Sequence, residues 1–208
     1  MKRFYAIAIA LMIGAGAFAQ DVIPLPQPKW DDKNGEKATL VEVLKNRRSE
    51  REYSKEALSD QVLSNVLWAA CGINRPAEKK ITAPSAINAQ DIIVFVCRSD
   101  GAFRYDALNN TLIKVSSKDL RKDVAANQAF SAVAPVSLVL VSDLNKFRSP
   151  RAELGAMDAG YVSENICLIC TAMGLKTVPR ATMNKEVLSK ELGLIDNQIL
   201  ELNHPIGK

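Results

Sequence analysis

Gly155–Leu175 reads GAMDAGYVSENICLICTAMGL. Its first half sets small residues, Gly155, Ala156, Ala159, Gly160 and Ser163, among larger apolar ones at helical spacing, and from Ile166 to Met173 it is apolar or small on every face. A helix that is apolar all round must be covered on every side. Gly174 marks its stop, because glycine takes the left-handed conformation beyond a helix C-terminus at no steric cost. The expectation is a long central helix, buried along its C-terminal half, with a small-residue face where another backbone comes close. One domain covers such a helix on one side only. The stretch therefore predicts a homodimer whose interface contains Ala156, Ala159, Gly160 and Ser163.

The chain around this helix divides into three parts. Lys2 and Arg3 precede the apolar run Phe4–Phe18, and Ala17-Phe18-Ala19 supplies a small-x-small cleavage pattern, so residues 1–19 read as a signal peptide. The run is shorter than the roughly 20 apolar residues of a membrane span, and no later stretch approaches that length without charge. The expected location is outside the cytoplasm, in the periplasm. Cleavage after Ala19 leaves 189 of the 208 residues and removes Lys2 and Arg3, lowering the formal charge from +4 to +2. So small an excess argues against a general nucleic-acid binder. Residues 20–36, with Pro24, Pro26 and Pro28, read as an extended arm, a linker or a strap across a neighbour. Residues 37–208 form one domain with room for a substantial core. Cys71, Cys97, Cys167 and Cys170 all sit in apolar segments, and Cys167-x-x-Cys170 lies deep inside an apolar helix rather than at a helix N-terminus. Buried thiols are expected there, not a redox pair. With His204 as the sole histidine, no metal site is expected.

Taken in order, Leu40, Val41, Val43 and Leu44 recur at helical spacing over residues 38–46. Ser59 then caps a helix with Val62, Leu63, Val66, Leu67, Ala69 and Ala70 on its buried face, ending at Gly72. A loop over residues 73–90 leads into the β-branched run Ile92–Val96, an interior strand. Phe103–Asp106 and Leu112–Val115 flank an Asn-Asn turn and read as a hairpin. A short helix over residues 120–126, a strand at Val136–Val141, an extended piece at 176–178, a helix at 185–192 and a strand at 198–202 complete the pattern. Helices interleaved with strands and a central hairpin point to an α+β fold, a mixed sheet with packed helices.

Two segments carry candidate chemistry. Arg47, Arg48 and Arg51, with Ser49 between them, offer planar donors and a hydroxyl suited to a phosphate; the other reading is a solvated turn after a helix. Pro84-Ser85-Ala86-Ile87-Asn88-Ala89-Gln90 runs into a buried strand, and Ser85, Asn88 and Gln90 are short polar groups at the mouth of a sheet; the other reading is a bare turn. Glu164 and Asn165 are either paired across an interface or the polar start of the buried half of the helix.

In order and spacing these segments resemble the nitroreductase family of flavin enzymes. RRSEREY (Arg47–Tyr53) is similar to its N-terminal flavin-phosphate motif, PSAINAQ (Pro84–Gln90) to its second flavin loop, and GYVSENICLICTAMGL (Gly160–Leu175) to its central helix. The runs LWAACGINRP, FRYD and GLKTVPRA resemble the subgroup that includes dehydrogenases of azoline rings. The resemblance implies a nitroreductase-like fold and an intertwined homodimer with the central helix at its interface. It further implies FMN at that interface and ping-pong transfer of reducing equivalents from a nicotinamide donor, NADH or NADPH, to a small planar substrate. On the matching positions it implies cofactor binding by Arg47, Arg48, Ser49, Arg51, Pro84, Ser85, Asn88, Gln90, Pro179 and Arg180. The family's C-terminal phosphate contacts are reduced here to Lys208. It assigns no catalytic side chain, as expected where the cofactor carries the chemistry. The alternative is a flavin- or ligand-binding protein without turnover.

Overall fold

The computed structural model describes residues 21–31 and 38–208; the expected signal peptide lies outside the described residues. The strands are β1 (Val22–Pro24), β2 (Ile73–Arg75), β3 (Lys80–Ile81), β4 (Ile92–Arg98), β5 (Gly101–Asp106), β6 (Thr111–Ser116), β7 (Val136–Asp143), β8 (Lys176–Thr177) and β9 (Gln198–Gly207). The α-helices are α1 (Leu40–Asn46), α2 (Asp60–Cys71), α3 (Arg121–Ala125), α4 (Ala152–Ala172) and α5 (Lys185–Glu191). Seven strands make one sheet in the order β1-β6-β5-β4-β7-β9-β8, while β2 and β3 form a separate hairpin inside the stretch expected to be loop. The class is α+β as expected. Every pairing is antiparallel, however, so the sheet is not mixed. The β5–β6 hairpin delivers the chain to the end of the sheet from which β7 runs straight back along β4, so no full-length crossover is needed.

The sheet is covered on both faces. Val94, Val96, Phe103, Leu112, Leu138 and Leu140 pack against Leu63, Val66 and Leu67 of α2 and Val162, Ile166 and Cys170 of α4. On the opposite face Phe95, Cys97, Val139 and Val141 meet Leu120, Val124, Leu188 and Leu192 from α3, α5 and their flanks. This two-sided burial is why β4 and β7 read as continuous apolar runs instead of alternating. All four cysteines are buried free thiols. Burial raises their pKa, that of Cys167 to about 11.

α4 runs 21 residues and stops where Gly174 adopts φ +66°. Its inward side is Gly155, Asp158, Ala159, Val162, Ser163, Ile166, Cys167 and Cys170, and its outward side includes Ala156, Met157, Gly160, Tyr161 and Glu164. Two members of the expected interface are thereby corrected. Ala159 is fully buried within its own chain, and the Ser163 hydroxyl lies 2.8 Å from His204 Nε2. α1, held by a Thr39–Glu42 capping box, packs only Val43 inward; Leu40, Val41 and Leu44 are more than half exposed.

The arm is also corrected, since residues 22–30 belong to this fold. β1 pairs with β6, Leu25 enters the core, and Trp30 lies over Trp68 at 5.4 Å between ring centroids. Asn65 of α2 clamps it from below: its Oδ1 accepts from Lys29 N at 3.0 Å and its Nδ2 donates to Lys29 O at 2.7 Å, while Ser64 Oγ donates to Pro26 O at 2.6 Å. Loss of a buried two-way amide costs about 1–3 kcal/mol. Asn65→Ala is therefore expected to free the arm, seen as protease cleavage near residue 29 at concentrations that leave the wild type intact.

Candidate functional site

The segment after α1 lies across the C-terminal end of α4. Glu50 N donates to Thr177 O at 3.0 Å, Tyr53 Oη to Glu50 O at 2.6 Å, and Ser54 N to Lys208 O at 2.8 Å. These bonds bring Arg47–Arg51, Pro179–Arg180 and Lys208 to one end of the molecule. Two cavities open there, one of about 330 Å³ lined by Asn46, Arg48, Glu50, Thr171 and Gly174–Thr177, and one of about 530 Å³ lined by Arg51, Gln128, Phe130 and Val178–Thr182.

The cations in this cluster differ in what already holds them. Arg48 donates to Glu50 at 2.5 Å, and the Lys208 amine is paired with Glu56. Arg180 is turned inward and nearly buried: it donates to Gln128 Oε1, Val124 O, Asn203 Oδ1 and Ala125 O at 2.7–3.2 Å. Four of its five N–H donors are thus taken up in bracing α3 against β9, and it also lines the second cavity. Pro179 beside it is exposed. Arg47 and Arg51 have no carboxylate partner among the described residues, Arg51 and Ser49 are exposed, and Arg51 stands close enough to act electrostatically on Tyr53. They are the candidate anion-binding groups of this end.

Pro84–Gln90 lies elsewhere. Ser85 Oγ accepts from Gln90 N at 3.0 Å, and Gln90 Nε2 donates to Lys79 O at 3.0 Å and to Asn88 Oδ1 at 3.3 Å. Ile87, Asn88 and Gln90 all have positive φ, +49°, +58° and +48°. That is costly for a β-branched residue, and strain of this kind is maintained by its surroundings and concentrates at ligand sites. Ile87 is 76% exposed, so packing of its own side chain does not cause the strain. The loop is held by Asp158, whose two carboxylate oxygens accept from Ala86 N at 3.0 and 2.9 Å. Next to it lies Asp91, whose Oδ2 accepts from Ser142 Oγ at 2.6 Å and whose Oδ1 is buried without a partner. Burial first, then the neighbouring Asp91 carboxyl, raises the pKa of Asp158 to about 6. Neither acid was among the expected site residues. The signal for both was in the sequence, an aspartate in an otherwise small and apolar helix turn and another directly before a buried strand.

The two groups of candidate residues stand at opposite ends of α4. Asp158, which holds the 84–90 loop, and Thr171, which lines the arginine cavity, are thirteen residues apart, or about 20 Å at 1.5 Å per residue. Between them, His204 is buried with its two ring nitrogens near Ser163 Oγ and Thr177 Oγ1 at 2.8 and 3.2 Å. Burial lowers its pKa to about 3, so it is a neutral packing residue. Among the described residues no cluster of metal ligands occurs, and no helix is long and apolar enough to cross a membrane.

The chain is similar to known proteins. The profile of the Nitroreductase family matches residues 44–208. A protein of Methanocaldococcus jannaschii assigned as a nitroreductase is 28% identical, the match covering 83% of this chain and 92% of that one. A crystal structure of a protein from Ralstonia eutropha, likewise assigned as a nitroreductase, superposes with a TM-score of 0.82 at 32% identity over 90% of this chain and 89% of its own. An FMN-dependent nitroreductase of Clostridium difficile shares the fold at 18% identity, with a TM-score of 0.58 over 81% of this chain and 86% of its own.

Proposed function

This chain belongs to the nitroreductase family, and from that premise we propose that it is an FMN-dependent oxidoreductase, working by a ping-pong cycle between NADH or NADPH and a small planar acceptor. Nitroaromatics, quinones and azoline-type rings fit that description. The reading rests above all on the pairing of uncompensated arginines, Arg47 and Arg51, at one end of α4 with the strained, polar Ser85–Gln90 loop at the other. FMN presents two unlike parts that need such partners. Its phosphate is suited to planar guanidinium donors with no internal acid to compete, with Ser49 beside them. Its ring supplies the hydride chemistry when bound, and the Asn88 amide at the exposed tip of the loop is suited to the ring edge.

The loop and the arginines lie at different ends of one helix, beside positions about 20 Å apart, and a second subunit would bring one set to the other. The proposal therefore includes a homodimer, in which the arginines of one subunit meet the loop of the other. Leu40, Val41 and Leu44 of α1 and Met157 and Tyr161 of α4, all exposed in the single chain, support such an assembly. We place the protein in the periplasm, following the signal sequence.

Purified mature protein should be yellow, or become so with added FMN. Arg51→Ala should weaken FMN binding about tenfold or more, the usual worth of a charge-assisted pair. Reduction of the bound flavin by a nicotinamide donor and reoxidation by a nitroaromatic or quinone would establish turnover. Flavin binding without reduction would favour a binding protein without turnover, and a colourless protein indifferent to FMN would refute both.

A further inference from the structure

Asp91 and Asp158 are buried side by side where the 84–90 loop meets α4, and the assignment of flavin-binding residues leaves them without a task. Asp158 is 1% exposed and Asp91 fully buried. Neither has an ion-pair partner among the described residues. Asp158 lies three residues beyond Gly155 on the buried side of α4; a Cβ on Gly155 would meet Ser142 Oγ, the hydroxyl that donates to Asp91 Oδ2, and Asp91 Oδ1 is the acceptor left without a donor. Two carboxylates cannot hydrogen-bond without a proton between them, and an orphaned buried acceptor is expensive. One proton resolves both problems. We propose that Asp91 and Asp158 share a single proton and form a clasp that positions the Pro84–Gln90 loop for its ligand, the clasp loosening when that proton leaves. The inference deepens the flavin reading above and rests on it for the ligand's identity.

The geometry makes the loop depend on the pair at two points. Asp158 accepts from Ala86 N in the middle of the loop, and just past its end the Asp91 carboxyl accepts from Ser142 Oγ of β7 at 2.6 Å. With the proton in place, α4 and the start of β4 are joined, and Ile87, Asn88 and Gln90 are held in their strained conformations. Without it, two buried charges of like sign push α4 and the loop's end apart. The surroundings offer no relief. Facing the pair are the Ala86 amide from the loop and the Ser142 hydroxyl from β7; the Glu201 carboxyl of β9, itself influenced by Lys185 of α5, acts with Asp91 only through space. The raised pKa of Asp158, to about 6, places the change between mildly acidic and neutral pH. Stability contributed by the protonated pair is complete below the ordinary aspartate range and is lost as pH rises through that value.

Hydrogen exchange on the flavin-free protein tests the clasp without reference to any ligand. After correction for the intrinsic exchange rate, protection of the Ala86 amide should fall about tenfold between pH 5.5 and 7.5 in the wild type. In Asp158→Asn, whose amide can donate permanently to Asp91 while its oxygen accepts from Ala86, protection should stay high at both pH values. Asp158→Ala should lose it at both. FMN affinity should follow the same order. The FMN phosphate ionises over this range too, but identically in each protein, so the ratio of wild type to Asp158→Asn isolates the pair; it should worsen about tenfold as pH rises. Should Asp158→Ala not fold, Asp91→Asn repeats the comparison with flat protection expected. Protection of Ala86 that does not change with pH in the wild type, or Asp158→Asn as unprotected as Asp158→Ala, overturns the proposal. If Ala86 behaves as expected while FMN does not bind, the clasp stands and the flavin reading falls.

Discussion

Gly155→Val is expected to destabilise the protein by about 3 kcal/mol or more, close to the limit a domain of marginal stability tolerates. A Cβ at position 155 would sit 2.2 Å from Ser142 Oγ, 2.8 Å from Ser142 Cβ and 2.9 Å from Leu144 Cδ2. Relief by rotating the Ser142 hydroxyl is unavailable at low cost, because that hydroxyl donates to Asp91 at 2.6 Å, and the Ser142 Cβ is fixed to β7. Helix propensity works the other way, favouring alanine over glycine by about 1 kcal/mol, and is outweighed by contacts this short. Gly155→Ala is the graded control, with a loss smaller than that of valine. Denaturant midpoints at unchanged m-value measure both. Wild-type stability in Gly155→Val would mean that α4 and β7 do not approach as closely as 155 and 142 indicate. Because Ser142 also holds Asp91, the valine variant should lower Ala86 amide protection before global unfolding begins.

That glycine illustrates what the sequence conveys and what it withholds. The small residues of GAMDAGYVSENICLICTAMGL declare close approach, but not with which partner. Gly155 is small because β7 of its own chain passes beside it, Ser163 because His204 accepts or donates there, and Gly160 has nothing within 4 Å. Helical period alone places positions 156 and 160 on one side and 155, 159 and 163 on another, yet which side faces the sheet depends on partners distant in sequence. The helices, the β5–β6 hairpin and the β4 and β7 strands were legible because their apolar periods and stop residues are local. β1 was not, since three residues of a proline-rich arm become a strand only when the edge of β6 is there to receive them. The candidate site divides in the same way. Arg47, Arg51 and the Ser85–Gln90 loop are recognisable from residue type and spacing. Arg180 has the right type but turns most of its donors into the fold, and Asp91 and Asp158 come together only because the start of β4 and α4 meet.

If the flavin site is shared between subunits, two variants that are each defective should repair one another. Arg47→Ala/Arg51→Ala removes the anion-binding end and leaves the loop; Asn88→Ala/Ser85→Ala removes polar groups of the loop and leaves the arginines. Each variant lacks one half of the site in both of its chains, so neither can complete a site in its own homodimer. In a mixed dimer one site receives both defects and the other receives neither. Unfolding and refolding an equimolar mixture should therefore restore about a quarter of the wild-type FMN sites, half the dimers being mixed and each of those holding one intact site. The apolar face on which this depends is checked independently by Gly160→Leu. Its side chain has open space around it in the single chain, so the subunit should fold with wild-type stability; a partner packed on that face would be displaced. Light scattering should then report a monomer, with FMN affinity lost alongside the dimer. No recovery in the mixture from a demonstrably mixed dimer, or a Gly160→Leu monomer that binds FMN as the wild type does, would place the whole flavin site within one subunit.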